Sequence, residues 1–207
     1  QMKGALSTGK ASDSYENFKE KVTTVQNLQE RVSEYITRLF SSGNLTEQQS
    51  EHTAGLLYVA NNIQRIADRC QDIDGIWEQI ERDGMNLSET ASEELEKCIS
   101  ITLDLLNQAI EAVKAGSEEQ AEQVFKNKKK MNKAEKKFNK AHLNRVKNQK
   151  CDPGMTTFFS GILYNLERAA DNCVSIAEEA LDNPGFVKLG ENARAFAAAA
   201  VAEGNVK

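Results

Sequence analysis

Two pairs of residues four apart carry most of the chemistry this chain can offer. Glu167 and Asp171 form one, and Gln64 and Asp68 repeat the spacing earlier in the chain. On a helix such residues share one face. Paired oxygens there can converge on a hard cation, or accept hydrogen bonds from a neighbouring ammonium or guanidinium. The second pair is fully acidic, whereas the first has an amide in place of one carboxylate. Arg168 and Arg65 adjoin them, and both are expected to reach carboxylates on a neighbouring helix rather than bind phosphate.

A lysine-dense stretch, 126–150, precedes the second pair, and Glu135 is its only acid. Lys128, Lys129, Lys130, Lys133, Lys136 and Lys137 form a basic face. It reads as solvated surface, or as a dock for an acidic partner or an anionic inner-leaflet membrane surface. Lysines beside the second acid pair would also compete with a metal for its carboxylates. Nucleic acid is disfavoured as a partner, because aromatics are sparse and Phe125 and Phe138 read as core, not as stacking platforms. The two histidines, His52 and His142, stand alone in sequence and are placed at the surface or at helix ends. No nucleophile–base pair, phosphate-cradling glycine loop or metalloprotease spacing occurs, so no enzymatic activity is expected. The four cysteines (Cys70, Cys98, Cys151, Cys173) lack CxxC spacing. That argues against a zinc or disulfide framework and fits a reducing compartment.

The acid pairs belong to an internal repeat, which sets the architecture. Asn62-Ile63-Gln64-Arg65-Ile66-Ala67-Asp68-Arg69-Cys70-Gln71-Asp72-Ile73 matches Asn165-Leu166-Glu167-Arg168-Ala169-Ala170-Asp171-Asn172-Cys173-Val174-Ser175-Ile176 in register. Around both, apolar residues recur in steps of three and four. Leu56, Val59, Ile63, Ile66, Cys70, Ile73, Trp77 and Ile80 flank the first; Phe159, Ile162, Leu166, Ala169, Cys173, Ile176 and Ala180 flank the second. This is the period of a packed helix, not of a strand. A net charge of −5, two prolines and few aromatics agree with an all-α domain. No apolar run is long enough to cross a bilayer.

Five long helices follow from the same period and from their end signals. The first runs from about Asp13 to Phe40 with a seam of Tyr15, Phe18, Val22, Val25, Gln29, Val32, Ile36 and Leu39, and Gly43 closes it. A Thr46/Gln49 capping box opens the second, which carries the first motif to about Arg82. The third spans about Glu89–Ala115. The fourth spans about Glu118–Asn148, with a thin stripe of Val124, Met131, Phe138, Leu143 and Val146. Pro153 suits a first helical turn, and the fifth carries the second motif from about Thr156 to Leu181. Tyr35-Ile36-Thr37-Arg38-Leu39 resembles His142-Leu143-Asn144-Arg145-Val146, pairing the first helix with the fourth. The expected layout is a disordered stretch over 1–12, a helical domain over 13–182 with repeats of about 13–83 and 87–182, and a tail over 183–207. In it the first half lacks the opening helix of a three-helix unit. An opening Gln1-Met2 predicts a natural start upstream.

Gln64-Arg65-Ile66-Ala67-Asp68 and Glu167-Arg168-Ala169-Ala170-Asp171 resemble the E-R-I-G-D signature of the PhoU family. In layout the resemblance covers most of 13–182. The composition is most similar to the domain that follows the membrane part of bacterial sodium/phosphate cotransporter proteins. This resemblance implies a two-repeat all-α bundle on the cytoplasmic side of the cell membrane, within a larger membrane protein and tied to phosphate uptake or its control. Implied partners are the transporter membrane domain, a phosphate-signalling protein or a second copy of the chain. Some members hold iron or zinc clusters on paired Glu/Asp-xxx-Asp motifs, which would place Glu167, Asp171 and Asp68 as ligands. Where such members often show acids on the partner helices, this chain has Gln26 and Glu30 on the first and Lys128 and Asn132 on the fourth.

Overall fold

The computed structural model describes residues 11–183 together with 185 and 186. They form five long helices: α1 (Ala11–Ser41), α2 (Glu47–Arg82), α3 (Glu89–Ala115), α4 (Glu118–Lys147) and α5 (Met155–Asp182). Each boundary has a local cause. Thr46 Oγ1 accepts from the Gln49 amide at 3.2 Å while Gln49 Oε1 accepts from the Thr46 amide at 2.9 Å, so two orphan donors of α2 are satisfied together. Gly116 ends α3 at φ 57°, a left-handed conformation that a side chain would strain. Ser117 then caps α4 through the Gln120 amide. With so short a connection, α3 and α4 must pack as antiparallel neighbours.

α3, α4 and α5 pack on one another in every pairing, α2 lies along α5, and α1 packs chiefly on α2. The core sits among the last four of these helices. Leu95, Leu105, Val124, Met131, Phe159 and Leu163 are fully shielded there, each large apolar side chain contributing about 1.5–3 kcal/mol.

The two motif helices run antiparallel. Arg69 meets Asn165, Gly161 lies against Ile76, and Gly55 approaches Glu179 and Asn183. Partners descend in one helix as they ascend in the other, so these contacts bracket the centres of the two motifs. Equivalent positions are treated alike. Asn62 and Asn165 are both buried, and each donates its side-chain amide to the carbonyl four residues back, at 2.9 and 3.1 Å. Ile73 and Ile176 are shielded alike, as are Val59 and Ile162. The halves differ where coverage differs: Ile63 is 37% exposed but its counterpart Leu166 only 4%. Two described helices make the first half and three the second, so α2 has fewer neighbours than α5. Val32, assigned to the seam of α1, stands open for the same reason.

Several sequence expectations need correction. Leu143 is not on the stripe of α4: it is 55% exposed, and His142 takes the buried position. A step of four from Phe138 reaches His142, whereas a step of five turns Leu143 to solvent. The α1–α4 match shifts by one residue for the same reason, since Ile36 is covered as His142 is. Ala11 and Ser12, expected to be disordered, begin α1. The tail begins as part of the body, because Phe186 is fully buried with its ring edge-on to His52 at 5.2 Å. Asn183 anchors it through the Glu51 carbonyl at 3.2 Å. The Ala-rich stretch of 191–202 lies outside the described residues.

Candidate functional site

The second motif is built where α4 passes α5. Leu166, Ala169, Ala170 and Cys173 bury the core side of α5, which turns Glu167 and Asp171 towards α4. Lys128 rises from α4 between them. Its Nζ lies 2.5 Å from Glu167 Oε1, 2.5 Å from Asp171 Oδ1 and 3.2 Å from the Glu167 carbonyl oxygen. An ammonium has three N–H donors, and here each has an acceptor. Arg168 faces the remaining oxygens, with Nη1 at 3.1 Å from Asp171 Oδ2 and Nε at 4.0 Å from Glu167 Oε2. Its guanidinium also lies over the Tyr164 ring. Two acids and two bases thus form a closed cluster whose every carboxylate oxygen looks at a cation of the protein itself.

Two sequence assignments change here. Lys128 does not belong to the solvated basic face: its side chain is 13% exposed, whereas Lys129, Lys130, Lys133, Lys136 and Lys137 are exposed. It falls four residues after the buried Val124 and three before the buried Met131, so helix geometry turns it inward. Arg168 meets acids of its own helix rather than of a neighbour, because Glu167 and Asp171 lie within its reach along α5.

The first motif is built differently. Gln64 Nε2 donates to Asp68 Oδ1 at 2.8 Å, and the buried Gln64 Oε1 has no partner among the described residues. Arg65 is exposed. α1 answers this face with amides: Gln29 donates to Asn61 at 2.8 Å and Gln26 to Gln71 at 3.4 Å. Asp68 lies on α2 between Asn61 and Gln71, turned to α1, so the fold does not bring it to Glu167 and Asp171. No cluster of three or more acidic, histidine or cysteine side chains suited to a metal occurs among the described residues. With an ammonium and a guanidinium on the carboxylates of the second motif and amides facing the first, the residues at both motifs do not fit an iron or zinc cluster.

A cleft of about 270 Å³ beside the second motif is lined by Asn132, Glu135, Lys136, Tyr164 and Glu167. The Asn132 Oδ1 there is buried without a partner, while Glu135 accepts from Asn139 at 2.6 Å.

Sequence reasoning missed a second buried cluster. His142, expected at the surface or at a helix end, lies near the end of α4 but is fully shielded and stacks on Phe159 at 4.6 Å. Its Nε2 lies 3.3 Å from Thr156 Oγ1 and its Nδ1 3.9 Å from Cys151 Sγ. Nearby, Arg145 holds Glu94 by two hydrogen bonds of 3.1 and 2.6 Å, tying α4 to α3. The signal lay in the spacing, since Met131, Phe138, His142 and Arg145 follow one seven-four-three stripe. Burial lowers the His142 pKa, the Arg145 charge lowers it further, and Glu94 opposes both. The folded protein therefore favours neutral imidazole, and this stability is complete above the unfolded pKa near 6.5 and lost as pH falls through the folded value. Thermal unfolding between pH 7.5 and 5 should show a fall in Tm on acidification that His142→Gln makes shallower; an unchanged slope would refute the assignment. The motif thiol Cys173 is inert by the same logic of burial, which pushes its pKa up to about 12, as it does for Cys98.

Both clusters, that of the second acid motif and that around His142, lie in the α3–α4–α5 half. The PhoU domain model matches residues 95–180. The span holds all of α4, nearly all of α5 and most of α3, and supports a PhoU-like domain there. The first motif lies outside it and is tied to the PhoU-like half by the internal repeat and the shared packing of α2 and α5. No curated protein and no solved structure matches the chain. Among the described residues, no helix is long and apolar enough to cross a membrane.

Proposed function

We propose that the chain is a non-enzymatic, cytoplasmic PhoU-like regulatory domain that accompanies sodium-dependent phosphate transport at the inner face of the cell membrane. The observation that carries this reading is the PhoU domain match over the half in which the second acid motif is assembled. That family is a regulatory one linked to phosphate. The geometry supports action by contact rather than by chemistry. The most reactive groups, Glu167 and Asp171, are already neutralised by Lys128 and Arg168, and His142 is shut away from solvent. The exposed lysines of α4 (Lys129, Lys130, Lys133, Lys136 and Lys137) suit an anionic inner leaflet, where each basic residue contributes about 1 kcal/mol. The partner is the transporter membrane domain itself or a phosphate-signalling protein, with homodimer formation as a further mode of contact.

Uptake of radiolabelled phosphate tests the reading, with and without sodium, in cells that contain or lack the intact gene. Loss of the gene should alter the sodium-dependent component, and restoring it with Lys129, Lys130 and Lys133 all changed to Glu should rescue only in part. Uptake identical in all three strains would sink the proposal. A change confined to the sodium-independent component would keep phosphate regulation but remove the link to this transporter class.

A further inference from the structure

We infer that Lys128 is the resident cation of the second motif, so that this bundle holds its acid pair closed with an ammonium and takes no metal there. The inference is independent of the phosphate reading. The PhoU resemblance implies a metal on the paired acids, but the side chains around them leave it no ligand. Glu167 Oε1 and Asp171 Oδ1 each lie 2.5 Å from Lys128 Nζ, and Arg168 faces the other two oxygens. The cluster is already neutral, two negative charges against two positive, so a divalent ion would enter against both bases. A hard cation also needs several converging oxygens, and a carboxylate bound to an ammonium is not one of them.

Lys128 is built for this place rather than caught in it. Its side chain is 13% exposed, and all three donors are used, one on the Glu167 main chain. Its position on α4, between Val124 and Met131, gives the ammonium a fixed origin. One turn further along the same face sits Asn132, whose buried Oδ1 lacks a partner and borders the cleft that Glu167 also lines. A carboxylate in place of Lys128 would therefore complete a set with Glu167, Asp171 and the Asn132 amide oxygen. On α4 the difference between a metal site and a metal-free lock comes down to Lys128, which holds the inner oxygens while Arg168 faces the outer ones from α5.

Equilibrium dialysis of the full chain against Zn²⁺ and Mn²⁺, with elemental analysis, tests this together with thermal unfolding with and without chelator. Wild type should retain no stoichiometric metal, and its Tm should ignore chelator. The Lys128→Glu variant should bind one ion per chain, at least about a hundredfold more tightly than wild type, since anionic ligands set affinity. Its Tm should rise with metal and fall with chelator. If that variant folds only when metal is supplied, the inference stands. Metal bound by wild type and lost on Glu167→Ala would overturn it, as would a folded Lys128→Glu variant that binds no better than wild type. Should the variant not fold at all, the wild-type result decides alone. Binding of Zn²⁺ that leaves the Lys128 ammonium NMR signal unmoved would mark an adventitious surface site and leave the lock in place, whereas its displacement would refute the lock.

Discussion

Replacing Arg145 with methionine should destabilise the bundle by about 3–4 kcal/mol, lowering Tm by about 6–16 °C for a chain of this size. Both partners are buried, with side chains 16% exposed for Arg145 and 9% for Glu94. Removing the guanidinium strands a carboxylate in the contact between α3 and α4 and takes two charge-assisted hydrogen bonds with it. It also takes the cation from over the Phe159 ring. The double change Arg145→Met with Glu94→Met separates pairing from burial. A shielded ion pair replaced on both sides by apolar groups loses little, so the double variant should unfold at a higher temperature than Arg145→Met alone. Calorimetry in which the double variant is the less stable would show that the pair stabilises the fold beyond neutralising its own charges.

Lys128→Met should cost about 2–3 kcal/mol, less than Arg145→Met although it leaves two acids without their ammonium. The reason is water. Asp171 is 39% exposed and Glu167 24%, and Arg168 still faces both, so solvent screens what remains. Urea unfolding of Lys128→Met, Glu167→Gln and the double variant gives the coupling directly. A coupling above about 1 kcal/mol is expected for a part-buried pair, and one near zero would reduce Lys128 to a surface lysine. This readout needs no metal and no transport assay, so it probes the lock whatever role the protein has in the cell.

The five helices and the duplication were legible because both are carried by local or periodic information. Apolar steps of three and four, a Thr46/Gln49 cap and a closing glycine at Gly43 each act within a few residues. The acid motif was legible as a spacing, but not what stands opposite it. Whether Lys128 points to solvent or to Glu167 depends on how α4 is rotated against α5. In a helix with so thin an apolar stripe, a small error in phase moves a residue from one face to the other. That error put Leu143 inside and His142 outside, and hid the Arg145–Glu94 pair, whose members are far apart in the chain.

By itself the order of residues determined an all-helical body, its element boundaries and two like motif helices, because these depend on periodicity and on caps formed by near neighbours. Only the tertiary structure decided that one motif is locked by an ammonium, that the other is knit by amides towards α1, and that a histidine is sealed beside a buried ion pair. Those outcomes are set by which faces of separate helices meet. The free energy of a charge changes sign with its partner and its access to water, and neither is written in the spacing along one helix.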